Sequence, residues 1–424
     1  MSEAPTKLFN KNFFLLWQGQ LVSQLGSHAF NIAVMFWIKH ETGSATLMGT
    51  LMMAAMLPAI IIAPIGGTIA DRYSRRKIII IGDTVNGVVV LFLAGILFLF
   101  QDSINPVLVL LYFVSATVAG VGSFFRPAMA AAIPDIVPKE KVAAANSLNQ
   151  SSMQISMFIG QGLGGVLFRL LGAPALFLID GLTYLFSALS EPFITIPQEI
   201  PERTSRWKEK FSEFKKDTLE GLHYVWKRRG MRDLFIAAAF INFFGMPFIV
   251  LMPFYVEDFL KALPDWYGYL LAAFGAGSLL GYLAAGAVRF PAKSKSKLLI
   301  ICPVCSGIGF GALGIITVPV VALIVIFITG VLNGFFNINV VTILQISTPG
   351  EIRGRIFGLM NTLAMGLTPI SMGLSGVVAD LTGQNIPAIY VVCGLVVVLL
   401  VIVLSMSREF REFLAFEQKD EEPQ

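Results

Sequence analysis

The stretch Pro387–Met406, PAIYVVCGLVVVLLVIVLSM, contains no charged side chain over its whole length. A helix of about 20 residues crosses the ~30 Å hydrocarbon core of a bilayer, so this stretch predicts a membrane-spanning helix. The chain around it has 424 residues, of which 55% are hydrophobic and 14% are charged. A soluble domain contains about 45–50% apolar and about 25% charged residues. The composition therefore predicts a membrane protein.

Eleven further apolar stretches of similar length precede this one. We number the predicted spans from first to twelfth, at about residues 12–38, 46–70, 78–100, 107–131, 143–171, 175–196, 234–256, 266–287, 298–318, 320–346, 356–379 and 387–406. The first span carries several glutamines and lacks a small-residue cleavage site, so it is predicted to be retained and not to be a signal peptide. The predicted fold class is an all-α membrane protein of twelve transmembrane helices.

Lys and Arg residues are distributed unevenly between the two sides of these spans. Of the 31 Lys and Arg residues, only Lys39, Arg169 and Lys261 fall in loops on one side. Positive charge collects in cytoplasmic loops, so the other side is predicted to be cytoplasmic and to hold both termini. The net charge of +4 therefore reflects membrane topology, and no nucleic-acid partner is predicted.

An internal repeat divides the chain into two halves. IGQGLGGVL at 159–167 aligns with ISMGLSGVV at 370–378, at an offset close to half the chain. The predicted organisation is a six-helix half at 1–196, a linker at 197–233, a second six-helix half at 234–407 and a cytoplasmic tail at 408–424. Parallel repeats of this kind predict a substrate site near the midplane between the halves.

The linker has an apolar face at helical spacing, formed by Trp207, Phe211, Phe214, Leu222 and Val225. This pattern is typical of an amphipathic helix on the inner leaflet. A solvated helix that only tethers the halves would show the same pattern.

The loop after the second span reads GGTIADRYSRRK at 66–77 and resembles the signature of the major facilitator superfamily. Five residues occupy the signature positions: Gly67, Asp71, Arg72, Arg75 and Arg76; Ser74 stands where the family usually has Gly. A small residue such as Gly67 permits close helix approach, and Asp71 could cap a helix or pair with Arg. The resemblance implies a conformational latch that favours the outward-open state. Basic residues that only anchor the loop inside would leave Asp71 unexplained.

The fifth span carries Gly160, Gly162, Gly164 and Gly165. This set is similar to the glycine motif of the antiporter branch of the family, with Gln161 in place of a proline. Close helix packing alone would also account for these glycines.

Several classes of function lack their motifs. The sequence has no phosphate-binding loop of the ATP-driven kind and no Cys/His cluster or zincin motif, so no catalytic residue, metal or cofactor is predicted. The fourth span also has no basic residue halfway along, where many drug–proton antiporters place an Arg.

Polar side chains recur at helical spacing within several spans and are predicted to line the substrate cavity. These candidates are Gln20, Gln24, His28 and Asn31 on the first span, Gln150 and Gln154 on the fifth, Asn242 on the seventh, and Asn333 and Asn337 on the tenth. The alternative is polar packing between helices, at about 0.6 kcal/mol per contact.

Three ionisable side chains lie well inside spans: Asp83, Asp180 and His28. An ionisable group at the centre of a spanning helix costs about 2.5–3.5 kcal/mol, which favours a functional explanation. Each is a candidate for proton coupling. The competing interpretation is a structural anchor that pairs with a helix end or a buried polar group.

Across nearly its whole length the chain is similar to the macrolide-efflux and siderophore-export branch of the superfamily. The matching motifs are WQGQ at 17–20, ETGSA at 41–45, IGD at 81–83, LIDG at 178–181 and RGRI at 353–356. The resemblance implies export of a bulky, largely apolar small molecule, such as a drug, a macrolide-like compound or a siderophore, by proton antiport. We expect a monomer in a bacterial plasma or inner membrane. The alternatives are a nutrient symporter of the same fold and a non-transporting receptor or scaffold.

Overall fold

The computed structural model of the chain describes residues 7–99, 104–198, 219–287 and 291–416, and these residues form helices and no β-strand. Ten helices in this part of the chain are long and apolar enough to cross a membrane. One of them, Lys139–Phe193, has 55 residues and contains both the fifth and the sixth span. The eleventh span is divided into two shorter helices. The predicted all-α fold is confirmed, and the helices are consistent with twelve spans.

The helices of the first six spans are Lys11–Thr42, Ala45–Arg72, Arg75–Leu99, Ile104–Ile136 and the continuous helix Val142–Ser190, which a short turn at Glu191–Phe193 follows. Those of the seventh to tenth spans are Arg229–Val250 with the short turns Met252–Phe254 and Tyr255–Phe259, then Asp265–Ala287, Ala292–Ala312 and Pro319–Ser347. The last two spans are Gly350–Gly366 with Thr368–Leu381, and Ile386–Met406, after which the short helix Arg408–Leu414 ends the described chain.

Side-chain caps set where the first two spans begin. Asn10 accepts a hydrogen bond from the Phe13 amide, and Ser44 accepts one from the Leu47 amide. Both bonds satisfy an amide that the first turn of a helix leaves without a carbonyl partner. Gly43, at a φ of 61°, ends the first helix in the left-handed conformation. Two residues are therefore enough to reverse the chain between the first two spans.

The fifth and sixth spans are joined by a kink instead of a loop. Gly172 has a φ of 73° and a ψ of 170°, and it is the one residue with non-helical dihedrals inside Val142–Ser190. Such a backbone conformation is accessible to glycine and strained for other residues. The chain can therefore reverse direction here without leaving the helical hydrogen-bonding pattern for long.

The eleventh span was predicted as one helix and is two. The break falls at Leu367, between Gly350–Gly366 and Thr368–Leu381. Pro369 lies in the first turn of the second helix, where its missing N–H is tolerated, and it cannot continue a preceding helix. The break therefore places Pro369 where a helix tolerates it, within a span that composition presents as continuous.

The described residues form two compact units, within Met1–Thr204 plus Leu263–Gly268 and within Ser205–Ala262 plus Tyr269–Gln424. In the first unit the first span approaches the sixth closely. A Cβ on Gly19 would lie 2.7 Å from Ser187 Oγ, and one on Gly26 would lie 2.8 Å from Asp180 Oδ1. Small residues therefore bring the polar side chains of the sixth span against the first span.

In the second unit the eighth and tenth spans share a reciprocal glycine contact. Gly277 and Gly281 lie against the backbone of the tenth span, at Phe327 and Val331. Gly330 and Gly334 lie against the backbone of the eighth span, at Phe274 and Ser278. Each helix therefore carries a G-x-x-x-G pair that lets the two backbones touch.

The described end of the linker packs on protein. Val225 is buried in the core of the second unit, and Leu222 packs against the same core. For these two residues the structure therefore supports neither the lipid-facing nor the solvated alternative. Trp207, Phe211 and Phe214 lie outside the described residues.

Candidate functional site

The second unit contains a cavity of about 330 Å³. Three amide side chains and four aromatic rings contribute to its wall, namely Asn242, Asn333 and Asn337 with Phe248, Phe274, Phe310 and Phe336. The other lining residues are mostly aliphatic. A largely apolar wall with a few polar groups is typical of sites for small organic ligands. All three asparagines predicted on the seventh and tenth spans thus meet at one cavity.

The asparagines differ in what they can offer a ligand. Asn242 Nδ2 donates a 2.8 Å hydrogen bond to the Ala238 carbonyl of its own helix. Asn333 and Asn337 are four residues apart on one face of the tenth span. Asn333 lies beside Gly334, which packs against the backbone of the eighth span at Ser278. The glycine contact between these helices therefore fixes the position of this part of the wall.

The polar stripe of the first span does not form one continuous cavity face. Gln20 was predicted to line the cavity, but its side chain is buried and donates a 3.3 Å hydrogen bond to Asp83. Gln24 is partly buried, and its Oε1 has no hydrogen-bond partner. Asn31 is exposed. Tight packing between the first span and its neighbours therefore separates these residues into different environments.

The other polar residues that were predicted to line the cavity in the first unit are Gln150, Gln154 and His28. Gln150 and Gln154 on the fifth span are exposed. His28 is partly buried and packs against Gly160, so that a Cβ at Gly160 would meet the histidine side chain.

Asp180 lies at the contact between the first and sixth spans. Ser27 Oγ is 3.2 Å from Asp180 Oδ1 and 2.9 Å from the hydroxyl oxygen of Tyr184. Asp180 is 1% exposed. The carboxyl group is therefore removed from solvent and held by a hydroxyl in place of a cation.

Asp83 has a buried acidic neighbour that the sequence analysis missed. The side chain of Glu191, at the end of the sixth span, is a neighbour of the Asp83 carboxyl group. Both side chains are buried. The sequence places Glu191 at the edge of an apolar stretch, next to Pro192, where a glutamate is usually solvated. Only the approach of the third span places Glu191 beside Asp83.

The loop with the superfamily signature is tied to two other parts of the first unit. Arg75 forms an ion pair with Asp135 and donates a 3.1 Å hydrogen bond to the Ala131 carbonyl, both at the end of the fourth span. Arg76 donates a hydrogen bond to the Pro192 carbonyl. Asp135 was not foreseen, although its place at a helix end beside Pro134 was visible in the sequence.

Gln198 closes the same loop from the other side. Its Oε1 accepts a 2.8 Å hydrogen bond from the Arg75 amide, and its Nε2 donates a 3.1 Å hydrogen bond to the Tyr73 carbonyl. Arg72 ends the helix of the second span, and the side chain of Asp71 falls outside the described side chains. The predicted close approach at Gly67 is shifted by one residue. Gly66 lies against the backbone of Ser123, whereas a Cβ on Gly67 would meet nothing within 4 Å.

The glycines of the fifth span pack against two different partners. Gly160 and Gly164 contact His28 and Ile32 of the first span. Gly165 contacts the Pro264 carbonyl, and the Gly162 carbonyl lies against Gly268. The stripe is therefore a packing surface for the first span and for the segment Leu263–Gly268.

No group of three or more His, Cys, Asp and Glu side chains that could hold a metal ion occurs among the described residues. Cys302, Cys305 and Cys393 are free thiols.

Comparison with known proteins connects this architecture to a family. The sequence model of the Major Facilitator Superfamily matches residues 16–371. The macrolide efflux protein A of Streptococcus pyogenes is 25% identical over 403 residues, which cover 94% of this chain and 96% of that protein. The multidrug efflux pump Tap of Mycolicibacterium fortuitum is 26% identical over 405 residues, covering 92% and 94%.

Solved structures share the fold at low sequence identity. The nucleoside transporter NupG has a TM-score of 0.73 at 12% identity, covering 94% of this chain and 99% of that chain. A bacterial homologue of the iron transporter ferroportin has a TM-score of 0.70 at 14% identity, covering 93% and 98%. With the family match over most of the chain and the helical membrane fold, these likenesses identify the class of protein. The chain belongs to the Major Facilitator Superfamily of membrane transporters.

Proposed function

We propose that the protein exports bulky, largely apolar small molecules across a bacterial inner membrane by proton antiport. The observation that carries the substrate class is the cavity of the second unit. Its wall offers aromatic and aliphatic surface with three amide groups, and no Lys, Arg, Asp or Glu is among the described residues that line it. Such a wall favours apolar compounds with a few hydrogen-bonding groups over sugars, amino acids or phosphorylated metabolites.

The relatives named for macrolide and multidrug efflux support export as the direction of transport. The apolar character of the proposed substrate also favours export. An apolar compound enters the cell through the bilayer unaided, so the cell needs a transporter only to remove it. A nutrient symporter remains the alternative, and it predicts accumulation of substrate inside the cell.

Buried acidic groups support protons as the coupling ion. Asp83 and Asp180 are both almost fully buried, and no described Lys or Arg lies within ion-pair distance of either carboxyl group. An acid kept inside the membrane without a cation is a candidate for binding and releasing a proton as access alternates. His28 is the third candidate, and Asp83 and Asp180 are the better buried.

The proposed transport cycle uses the signature loop as a latch on the cytoplasmic side. Arg75 holds the end of the fourth span through Asp135, and Arg76 holds the turn after the sixth span. These contacts stabilise one arrangement of the cytoplasmic ends, and breaking them would allow another. The protein is proposed to work as a monomer with both termini in the cytoplasm.

The experiment is a transport assay in cells that lack their major efflux pumps. Expression should lower the accumulation of erythromycin or ethidium, and a protonophore should abolish the difference. Substrate added to inside-out vesicles should release protons. Equal accumulation with and without the protein across a broad panel, with no pH response, would refute export by antiport. Higher accumulation with the protein would favour the symporter, and substrate binding without transport would favour a receptor.

A further inference from the structure

Two buried carboxyl groups of the first unit are neighbours. Asp83 on the third span is 2% exposed, and Glu191 at the end of the sixth span is 1% exposed. Gln20 of the first span donates to Asp83, and the adjacent Gly19 packs against Ser187, which donates to Glu191, so both carboxyl groups lie in one buried region. Among the described side chains, no Lys or Arg forms an ion pair with either group. Two neighbouring acids in a buried site without a cation require an explanation.

The hydrogen-bond donors around the pair are fewer than the acceptors. Gln20 Nε2 donates a 3.3 Å hydrogen bond to Asp83 Oδ2, and Ser187 Oγ donates a 3.2 Å hydrogen bond to Glu191 Oε1. Glu191 Oε2 is buried and has no partner. A buried oxygen without a donor loses about 1–3 kcal/mol of solvation, and more when it carries charge.

A second unsatisfied acceptor lies on the same helix as Asp83. The side chain of Asn86 is 5% exposed, and its Oδ1 has no hydrogen-bond partner. Residues three apart lie on one face of a helix, so Asn86 follows Asp83 on the same side of the third span. The buried region therefore holds more lone pairs than hydrogens, which is the condition under which it would bind a positive ion or a proton.

Close helix contact keeps this region small. A Cβ on Gly19 would lie 2.7 Å from Ser187 Oγ and 3.3 Å from its Cα. Among the described residues, no group of three or more acidic, His or Cys side chains occurs here. Two neighbouring carboxylates repel each other strongly at low dielectric, and one shared proton removes the repulsion and supplies the missing donor.

The other titratable and charged groups near the pair are few. Asp180 and Tyr184 lie on the same sixth span, and Asp180 interacts electrostatically with Asp83. The positive charge of Arg126 on the fourth span acts electrostatically on Tyr184. Arg76 of the third span donates to the Pro192 carbonyl, next to Glu191. Ser27 donates a hydrogen bond to Asp180, which is a third acid outside the pair.

We propose that Asp83 and Glu191 together bind the single proton exchanged in each transport cycle, and that Glu191 is the missing half of this site. The inference rests on the proposed antiport. Binding adds one proton to the dianionic pair and leaves one negative charge on a carboxyl–carboxylate pair. Release returns the proton to water and restores both carboxylates. Because Arg76 touches the residue after Glu191, a change in the charge of the pair is positioned to affect the latch.

Amide substitutions distinguish this role from a structural one. Glu191→Gln and Asp83→Asn keep the shape of the side chains, and an amide can donate the hydrogen bond that a protonated carboxyl would donate. A purely structural pair would therefore tolerate these changes, whereas a proton site would lose its exchangeable proton. Glu140→Gln on the exposed turn Lys139–Lys141 makes the same chemical change away from the pair.

The experiment uses the full-length protein in liposomes with a trapped pH-sensitive dye and with erythromycin or ethidium as substrate. Glu191→Gln and Asp83→Asn should each reduce substrate-driven proton movement by roughly tenfold or more, with substrate binding retained. Glu191→Asp should retain coupling, and Glu140→Gln should match the parent protein. Proton movement at the parental rate in either amide variant would overturn the proposal, as would loss in Asp180→Asn alone. A requirement for sodium would also overturn it.

A second measurement separates this inference from the proposed function. Infrared spectroscopy of the purified protein, titrated without substrate, should show the band of one protonated carboxyl group that disappears in Glu191→Gln and in Asp83→Asn. If the parent liposomes show no coupled transport but the band behaves as expected, antiport is refuted and the proton site stands. If transport is coupled and the band is unchanged in both variants, the pair is not the site.

Discussion

Arg169 holds Asp265 by two parallel hydrogen bonds of 3.0 Å, from Nε to Oδ1 and from Nη2 to Oδ2. Asp265 begins the helix of the eighth span, and its side chain is 10% exposed. The segment Leu263–Gly268 that contains it packs within the first unit, against the glycines of the fifth span. A bidentate pair fixes both the position and the angle of this segment.

Asp265→Asn and Arg169→Gln should each loosen the segment Leu263–Gly268. Removing one partner of a charge-assisted bond costs about 1.5–3 kcal/mol, reduced here because Arg169 is partly exposed. Hydrogen exchange at residues 263–268 should therefore become faster. Arg408→Gln, which removes the exposed ion pair between Arg408 and Glu412, serves as the control and should leave that exchange unchanged. Parental exchange rates in both variants would show that the glycine packing alone holds the segment.

Asp135→Asn should slow transport without weakening substrate binding. The change removes the ion pair between the signature loop and the fourth span, and a shift of about 1.4 kcal/mol between two states changes a rate or a population roughly tenfold. Asp71→Asn is expected to act in the same way. Initial rates of ethidium efflux and equilibrium ethidium binding measure the two quantities. An unchanged efflux rate in Asp135→Asn would remove the latch from the mechanism.

Asn333→Ala and Asn337→Ala should weaken the binding of substrates that carry hydrogen-bonding groups. A lost neutral hydrogen bond is worth about 0.5–1.5 kcal/mol, so the dissociation constant should rise by roughly twofold to tenfold. Asn339→Ala is the matched control, because Asn339 donates to the Phe335 carbonyl and does not line the cavity. Equal effects at all three positions would indicate a general loss of stability and not a ligand contact.

Gly281→Ala and Gly334→Ala should destabilise the second unit. Each added Cβ would meet the backbone of the facing helix, which cannot yield as a flexible side chain would. Overpacking of this kind costs about 1–3 kcal/mol. Thermal unfolding of the detergent-purified protein should show a lower transition temperature. Gly286→Ala, where a Cβ would meet nothing within 4 Å, should unfold like the parent.

The helices of this fold were predictable because span length and charge distribution are properties of the chain itself. The division of the eleventh span was not predictable from Pro369 alone, since Pro127, Pro247 and Pro303 stand inside continuous helices. The G-x-x-x-G pairs of the eighth and tenth spans were readable in the sequence and were missed. Such a pair predicts a specific helix contact only when the facing helix is known.

The candidate sites were predictable only in part. Asn242, Asn333 and Asn337 meet at one cavity because helical spacing carries over directly into a helix face. Gln20 shows the limit, since its spacing was regular but its hydrogen-bond partner, Asp83, comes from another helix. Glu191 and Asp135 lie at helix ends, where acids are ordinary, and only the neighbouring helices give them buried or charged partners. Residue spacing along one helix does not show which side chains a neighbouring helix places against it.

The kink at Gly172 also restricts which substitutions and insertions this connection can accept during evolution. At a φ of 73° and a ψ of 170°, any residue with a Cβ would strain the backbone. The space around the position is not the obstacle, since a Cβ there would have only Pro174 Cδ within 4 Å. Substitutions should therefore be tolerated at the exposed positions of both flanking spans and not at Gly172. An insertion there would separate two spans that now reverse direction through one residue, so lineages of this transporter should keep the length of this connection even where they change its flanks.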